Sequence, residues 1–340
     1  MKTLRVPKQF ALTILITLCI VALSAPAWAV EGLLDKLPND HNTFVGADFD
    51  RLRGSPFFTP TIALVRGNPT LGASLRTMEE QLGLKVETDI QQVALVTNGP
   101  PISLSMLNDP MGAATAAGPR GATIIVRGRF ESDQILRRLS GEEQAPAHLR
   151  LDGLEVHRLS ENTLALITGP DSYRQGINRT ILRPQGLSAT FRAAISKVGT
   201  QGIYVVTAPD LEADVQAMGA DARLAIIGVQ AGSNVRLRML LTMSDSETAV
   251  NSKKNFQGLR EQAASNPMLG IFGVRPLVAN MEISNDDNDV ILNTSMTNNE
   301  ARILIQRVVG YLQTTQDLQR PLGPTPGGDT SGGGVDADFN

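Results

Sequence analysis

One order of strands and helices runs through this chain twice, and that doubling restricts its fold more than any single motif. In the first pass Thr43–Asp48 reads as a strand and 59–82 as a helical region. Val93–Thr97 and Thr123–Phe130 read as strands and Glu131–Leu139 as a helix. Leu154–Leu159 and Thr163–Thr168 form a strand pair, followed by a helix over Tyr173–Leu182. In the second pass Gly202–Thr207 is the opening strand and Leu211–Met218 a short helix. Leu224–Val229 and Val235–Met243 are strands, and Asp245–Ala264 is a long helix. Val278–Ile283 and Val290–Met296 pair around Asn285–Asn288, and a helix over Ala301–Leu312 closes the pass. Short turns between consecutive strands favour antiparallel pairing. The expected fold is therefore α+β: two consecutive β-α-β-β-α-β-β-α halves, antiparallel sheets with helices packed on one face. Residues 30–184 make the first half, 185–200 a connecting helix and 201–320 the second half.

Local chemistry supports individual elements. Ser244-x-x-Glu247 and Thr297-x-x-Glu300 are capping boxes at helix starts. Ala301, Leu304, Ile305, Val308 and Leu312 recur at helical spacing and define one buried stripe. Arg236 and Arg238 alternate with Val235, Leu237 and Met239, the period of a strand with one wet face. Arg127 and Arg129 alternate the same way at the matching place in the first pass. The arginines read as the solvated side of an antiparallel sheet, with an anion clamp as the functional alternative.

The amino terminus has the form of a secretory signal over residues 1–29. Lys2, Arg5 and Lys8 precede an apolar run from Phe10 to Leu23, and Ala27-Trp28-Ala29 supplies a peptidase site before Val30. The run is too short to span a membrane as a helix, and no later stretch is long enough, so no transmembrane span is expected after cleavage. Leu18 is bulky where a lipoprotein signal before Cys19 carries a small residue. Cleavage removes the one cysteine and the one tryptophan, and with them disulfide, thiol and thiolate chemistry. The formal charge is −3, and the removed start carries only positive charges, so the remainder is more acidic still. That balance disfavours nucleic acid as a partner. Met111–Gly121 reads as a small-residue loop, and 321–340 as a disordered Gly/Pro-rich tail.

Candidate chemistry is sparse. The three histidines, His41, His148 and His157, form no His-x-x-x-His or Glu-x-x-His pattern. His148 falls in a polar loop and His157 inside a strand; both read as surface or packing residues. Asp48-Phe49-Asp50 sets two carboxylates two residues apart, the raw material of glycoside acid–base chemistry. A helix cap or a salt-linked turn explains Asp48 and Asp50 equally simply. Asp286, Asp287 and Asp289 are the metal candidates, in a run that resembles half a calcium loop. That run lacks the glycine and glutamate of a complete loop and reads first as a β-turn. No Gly-x-Ser-x-Gly, phosphate-binding loop or dinucleotide fingerprint occurs, and no cofactor is expected. Asn178-Arg179-Thr180 and Asn293-Thr294-Ser295 match the glycosylation sequon, relevant only to a eukaryotic secretory route.

Leu37-Pro38-Asn39-Asp40, a strand ending in Asp48-Phe49-Asp50, then Leu52-Arg53-Gly54-Ser55-Pro56 and Val126-Arg127-Gly128-Arg129-Phe130, together resemble bacterial exported proteins of unknown function. The resemblance spans most of residues 33 to 315 as a pattern. It implies a bacterial envelope setting, periplasmic or secreted, and an α+β fold, and it transfers no catalytic residue. The expected function is a non-enzymatic binding or interaction module whose partner is a protein or small ligand of the cell envelope. The alternatives are a carboxylate-dependent envelope hydrolase and a carrier of an apolar ligand. A hydrophobic content of 42% is ordinary for a globular protein and does not favour the carrier.

Overall fold

The computed structural model describes residues 31–39, 41, 43–56, 58–97, 121–151, 153–183, 186–198, 203–207, 222–265 and 275–307. The expected signal segment, the helix at 211–218, the tail at 321–340 and all but the last residue of the 111–121 loop lie outside these described residues.

The first half runs α1 (Glu31–Leu34), β1 (Thr43–Asp48), α2 (Phe49–Arg53), α3 (Phe58–Gly67), α4 (Pro69–Leu82), α5 (Val86–Asp89), β2 (Ile90–Thr97) and β3 (Ala122–Gly128). It continues through α6 (Ser132–Ser140), β4 (His148–Leu151), β5 (Leu154–Ser160), β6 (Thr163–Thr168) and α7 (Asp171–Thr180). Helix α8 (Ala189–Val198) leads into the second half: β7 (Ile203–Thr207), β8 (Ala222–Ala231), β9 (Asn234–Met243), α9 (Ser246–Ala264), α10 (Arg275–Ala279), β10 (Glu282–Asp286) and β11 (Asp289–Thr297). Residues 298–307 are helical (α11).

The fold is α+β with antiparallel pairing throughout, and the two halves share one connectivity. Outward from the junction the first half orders its strands β1-β2-β3-β6-β5-β4 and the second β7-β8-β9-β11-β10. In each half the last strand of the closing hairpin returns to pair with the third strand. The opening strands β1 and β7 also pair with each other, Phe44 opposite Val206 and Gly46 opposite Tyr204. The two sheets therefore meet edge to edge as one eleven-stranded sheet, and neither opening strand is left as an unpaired edge.

Strand alternation sorts the core onto two faces. On one face Ala47, Val93, Leu95, Ile124, Val156 and Leu164 pack with Phe49, Leu52, Phe58, Ile62, Leu75 and Leu136 from α2, α3, α4 and α6. The register carries this face into the second half, where Ala225, Leu241, Val290 and Leu292 pack with Ala249 and Phe256 of α9. Ile305 of α11 touches the clusters of both halves. On the opposite face Phe44, Val96, Ile125, Ile167, Leu224, Ile226 and Leu240 pack with Leu33, Ile177, Phe191 and Ile195 from α1, α7 and α8. The connecting helix packs on β7, β8 and β9 of the second half. Each fully buried leucine, isoleucine or phenylalanine stabilises by about 1.5–3 kcal/mol.

Several elements differ from the sequence reading, each for a local reason. The helical region over 59–82 is two helices: Asn68 interrupts it, and Pro69 opens α4, where its missing N–H costs nothing. The first half carries an additional strand, β4, formed by residues read as a loop. Val278 and Ala279 belong to α10, and strand β10 begins only at Glu282. The turn of that hairpin is confined to Asp287 and Asn288, with Asp287 at φ 49°. Helix α9 is capped by Asp245, whose carboxylate accepts from the Thr248 N–H at 2.7 Å. Ser244 instead donates to Asp245 at 3.0 Å. The box at Thr297 is complete: the Thr297 N–H donates to Glu300 at 2.8 Å, and the Glu300 N–H donates to Thr297 Oγ1 at 3.2 Å.

Candidate functional site

The β4–β5 hairpin and helix α7 bring a cluster of ionisable side chains together at the β4 end of the sheet. Gly153 takes φ 75°, a left-handed conformation that glycine adopts without strain, and so lets the chain reverse between β4 and β5. The resulting register sets His148 opposite His157 and Arg150 opposite Glu155. Glu155 and His157 lie two residues apart on β5 and so share a face, the one that α7 covers. From α7, Arg174 and Asn178, four residues apart, reach the same spot.

Glu155 is the hub, although its residue is only 2% exposed. His148 Nε2 lies 2.9 Å from Glu155 Oε2, and Asn178 Nδ2 donates to the same oxygen. Glu155 Oε1 lies 3.7 Å from Arg174 Nη1 and 3.9 Å from Arg150 Nε. Arg174 also pairs with Asp171, and Arg150 approaches Asp171 to 3.8 Å. Because Asn178 turns its amide nitrogen to Glu155, its Oδ1 faces His157 Nε2 at 2.7 Å. That nitrogen therefore donates, which assigns the lone pair of the neutral ring to Nδ1. The rings of His148 and His157 stack at 4.1 Å between centroids, 10° from parallel.

Electrostatics follow from this geometry. Burial pushes the Glu155 carboxyl up, but hydrogen bonds from Asn178 and His148 and the nearby Arg174 charge outweigh it and hold the group below its ordinary range. Burial, assisted by His148, lowers the pKa of His157, against the opposing pull of Asn178 and Glu155. Beside the cluster, the Tyr173 hydroxyl lies 2.8 Å from His41 Nε2 and 3.0 Å from Thr123 Oγ1. Burial pushes that phenol up to about 12. All three histidines of the chain are thus drawn to α7 and the strands beneath it.

The carboxylates singled out in the sequence sit elsewhere. Asp48 is buried and serves as the N-cap of α2, accepting from the Arg51 N–H at 3.1 Å. Asp50, on the first turn of that helix, accepts from Arg53, from Gln91 Nε2 at 2.9 Å and from Arg129 Nη2 at 3.1 Å. Asp286 and Asp289 flank the β10–β11 turn as its last ladder pair, with Asp287 in the turn itself. Asp289 is buried and accepts from Lys197 Nζ and Thr242 Oγ1, each at 2.6 Å. Among the described residues, the metal-ligating side chains whose donor atoms converge to within 4.8 Å are His148, Glu155 and His157. In the sequence His148 reads as part of a polar loop, which hides this trio. The sequence signal is the Asp-Gly pair at 152–153, a dipeptide that favours tight hairpins, and the turn at Gly153 sets His148 opposite His157.

Among the described residues no helix is long and apolar enough to cross a membrane. No protein-family model matches the chain, and no curated protein is similar to it. Solved structures of the Treponema protein TP0453 are similar at low identity. Crystal form I is 9% identical with a TM-score of 0.45, over 83% of this chain and 96% of that one. Crystal form III is 8% identical at the same TM-score, over 83% and 97%.

Proposed function

We propose that this chain is an exported, non-enzymatic binding module of the bacterial envelope, periplasmic or secreted, built by internal duplication. In this reading residues 1–29 are removed on export, and 30–184 and 201–320 are the two copies, joined by a helix within 185–200. The partner is a protein or small ligand of the envelope. The signal-like start supports the location, and the shared strand order supports the duplication.

The observation that carries the reading is the engagement of the carboxylate pair. A glycosidase needs two carboxyl groups flanking one bond of the substrate. Asp48 instead caps α2, and Asp50 is held by Arg53, Gln91 and Arg129. The carrier alternative is weakened by packing: Phe44, Ile226, Phe191 and Ile195 fill the space between sheet and α8 with buried side chains.

The test is recovery of the mature protein from its own host's envelope after mild cross-linking. The expected result is one defined partner or ligand, retained equally by Asp48→Asn and Asp50→Asn. A hydrolytic activity abolished by either substitution, with the fold preserved, overturns the reading in favour of a hydrolase. An apolar molecule co-purifying in native mass spectrometry overturns it in favour of a carrier.

A further inference from the structure

We propose that His148, Glu155 and His157 form a binding site for a divalent ion of the zinc class, a site independent of the binding-module reading. Two imidazoles and one carboxylate are the donor set such ions take, and three protein ligands leave a fourth position for water. A four-coordinate ion with bonds of about 2.0–2.2 Å holds its ligand atoms roughly 3.3 Å apart. His148 Nε2 and Glu155 Oε2 already stand 2.9 Å apart. The ion would take the place of the proton between them.

The site has a fixed half and an adjustable half. Glu155 and His157 are buried within the sheet, and Asn178 bonds to both, as an outer-shell residue does when it orients metal ligands. Stacked parallel rings do not point their in-plane lone pairs at one ion, so one ring must turn. His148 is the one able to, since it lies on edge strand β4 with its side chain 43% exposed. The same exposure gives the ion a way in. The local charges tolerate a cation: Arg174 and Arg150 are set against Glu155 and Asp171.

The experiment is a cobalt(II) titration, followed by visible absorption, of the full mature chain freed of any histidine tag. Zinc alone is the competitor, and thermal unfolding is recorded in parallel. The expected result is one equivalent of cobalt with the intense bands of a four-coordinate site, displaced by zinc, and a melting temperature raised by zinc. His148→Gln, a half-exposed substitution that leaves the core intact, should abolish both the bands and the zinc shift. Asn178→Ala should weaken zinc binding by roughly 10–100-fold. No four-coordinate bands in the unaltered chain, or bands unchanged in folded His148→Gln, would overturn the site.

Discussion

His148 and His157 face each other across the β4–β5 ladder with their rings stacked, one half-exposed and the other buried. The pair is held from beneath by Glu155 and Asn178. The outermost strand of the sheet is therefore fastened to α7 by polar contacts as well as by backbone pairing. A buried polar network of this kind is costly when any member is missing.

The cost is measurable at Glu155. Replacing it with alanine leaves the buried Arg174 guanidinium with only the exposed Asp171 as its partner. Breaking a buried pair from one side destabilises by about 3–5 kcal/mol, so Glu155→Ala should lose about 3 kcal/mol in urea unfolding. Adding Arg174→Met should recover part of that loss. A single-variant loss below about 1 kcal/mol, the scale of an exposed ion pair, would mean that Glu155 does not act as the hub.

Asp48 separates capping from charge. Its carboxylate caps α2, while burial pushes its pKa above the ordinary value, against the opposing Arg51 amide. Asp48→Ala should cost about 1 kcal/mol through loss of the cap. Asp48→Asn keeps an acceptor and removes a buried charge, so it should be neutral or stabilising at pH 7. A raised carboxyl favours the fold below its unfolded pKa, and that contribution is lost as pH rises through the folded value. The advantage of Asp48→Asn should therefore shrink as the pH is lowered toward 4, as read from melting temperatures.

Much of the architecture was legible because it rests on short-range chemistry. The alternation in Val235–Met243 and the box at Thr297 each specify an element within a few residues. The order of elements then implied two halves. The pairing of β1 with β7 was not legible, because edge-to-edge joining leaves no mark in the period of either strand. Nor was the second helical layer, since the stripe on α8 says which residues are buried but not which face of the sheet receives them. The site was hidden for a related reason. Glu155-x-His157 looks like ordinary alternation until the turn at Gly153 folds His148 onto it.

Asp289 ties α8 to the second half. It accepts from Lys197 and Thr242 and is buried, whereas Lys197 is half-exposed. Removing the carboxylate leaves no buried charge behind, so Asp289→Asn should cost only about 1.5 kcal/mol. The loss should be the same with or without millimolar calcium, since the oxygens already serve Lys197 and Thr242. A calcium-dependent rise in melting temperature that disappears in Asp289→Asn would instead show that the β10–β11 turn binds the ion.

Tyr173 gives the chain a readout at alkaline pH. Its hydroxyl meets His41 and Thr123 beneath α7, and its ring lies over Gly121. Burial raises the phenol from 10.0 to about 12, while the Thr123 hydrogen bond pulls weakly the other way. A phenol raised on folding stabilises the fold fully below its unfolded pKa of 10.0, and that stability is lost as pH rises through about 12. The chain has three tyrosines. In an absorbance titration of tyrosinate, with the fold followed by circular dichroism, one should ionise last, together with unfolding. Tyr173→Phe should remove that late step and cost about 0.5–1.5 kcal/mol at pH 7, because His41 and the buried Thr123 each lose a hydrogen bond. If all three ionised together near 10 while the fold persisted, Tyr173 would have to be open to solvent, and the layer that α7 forms over β3 and β6 would not be closed.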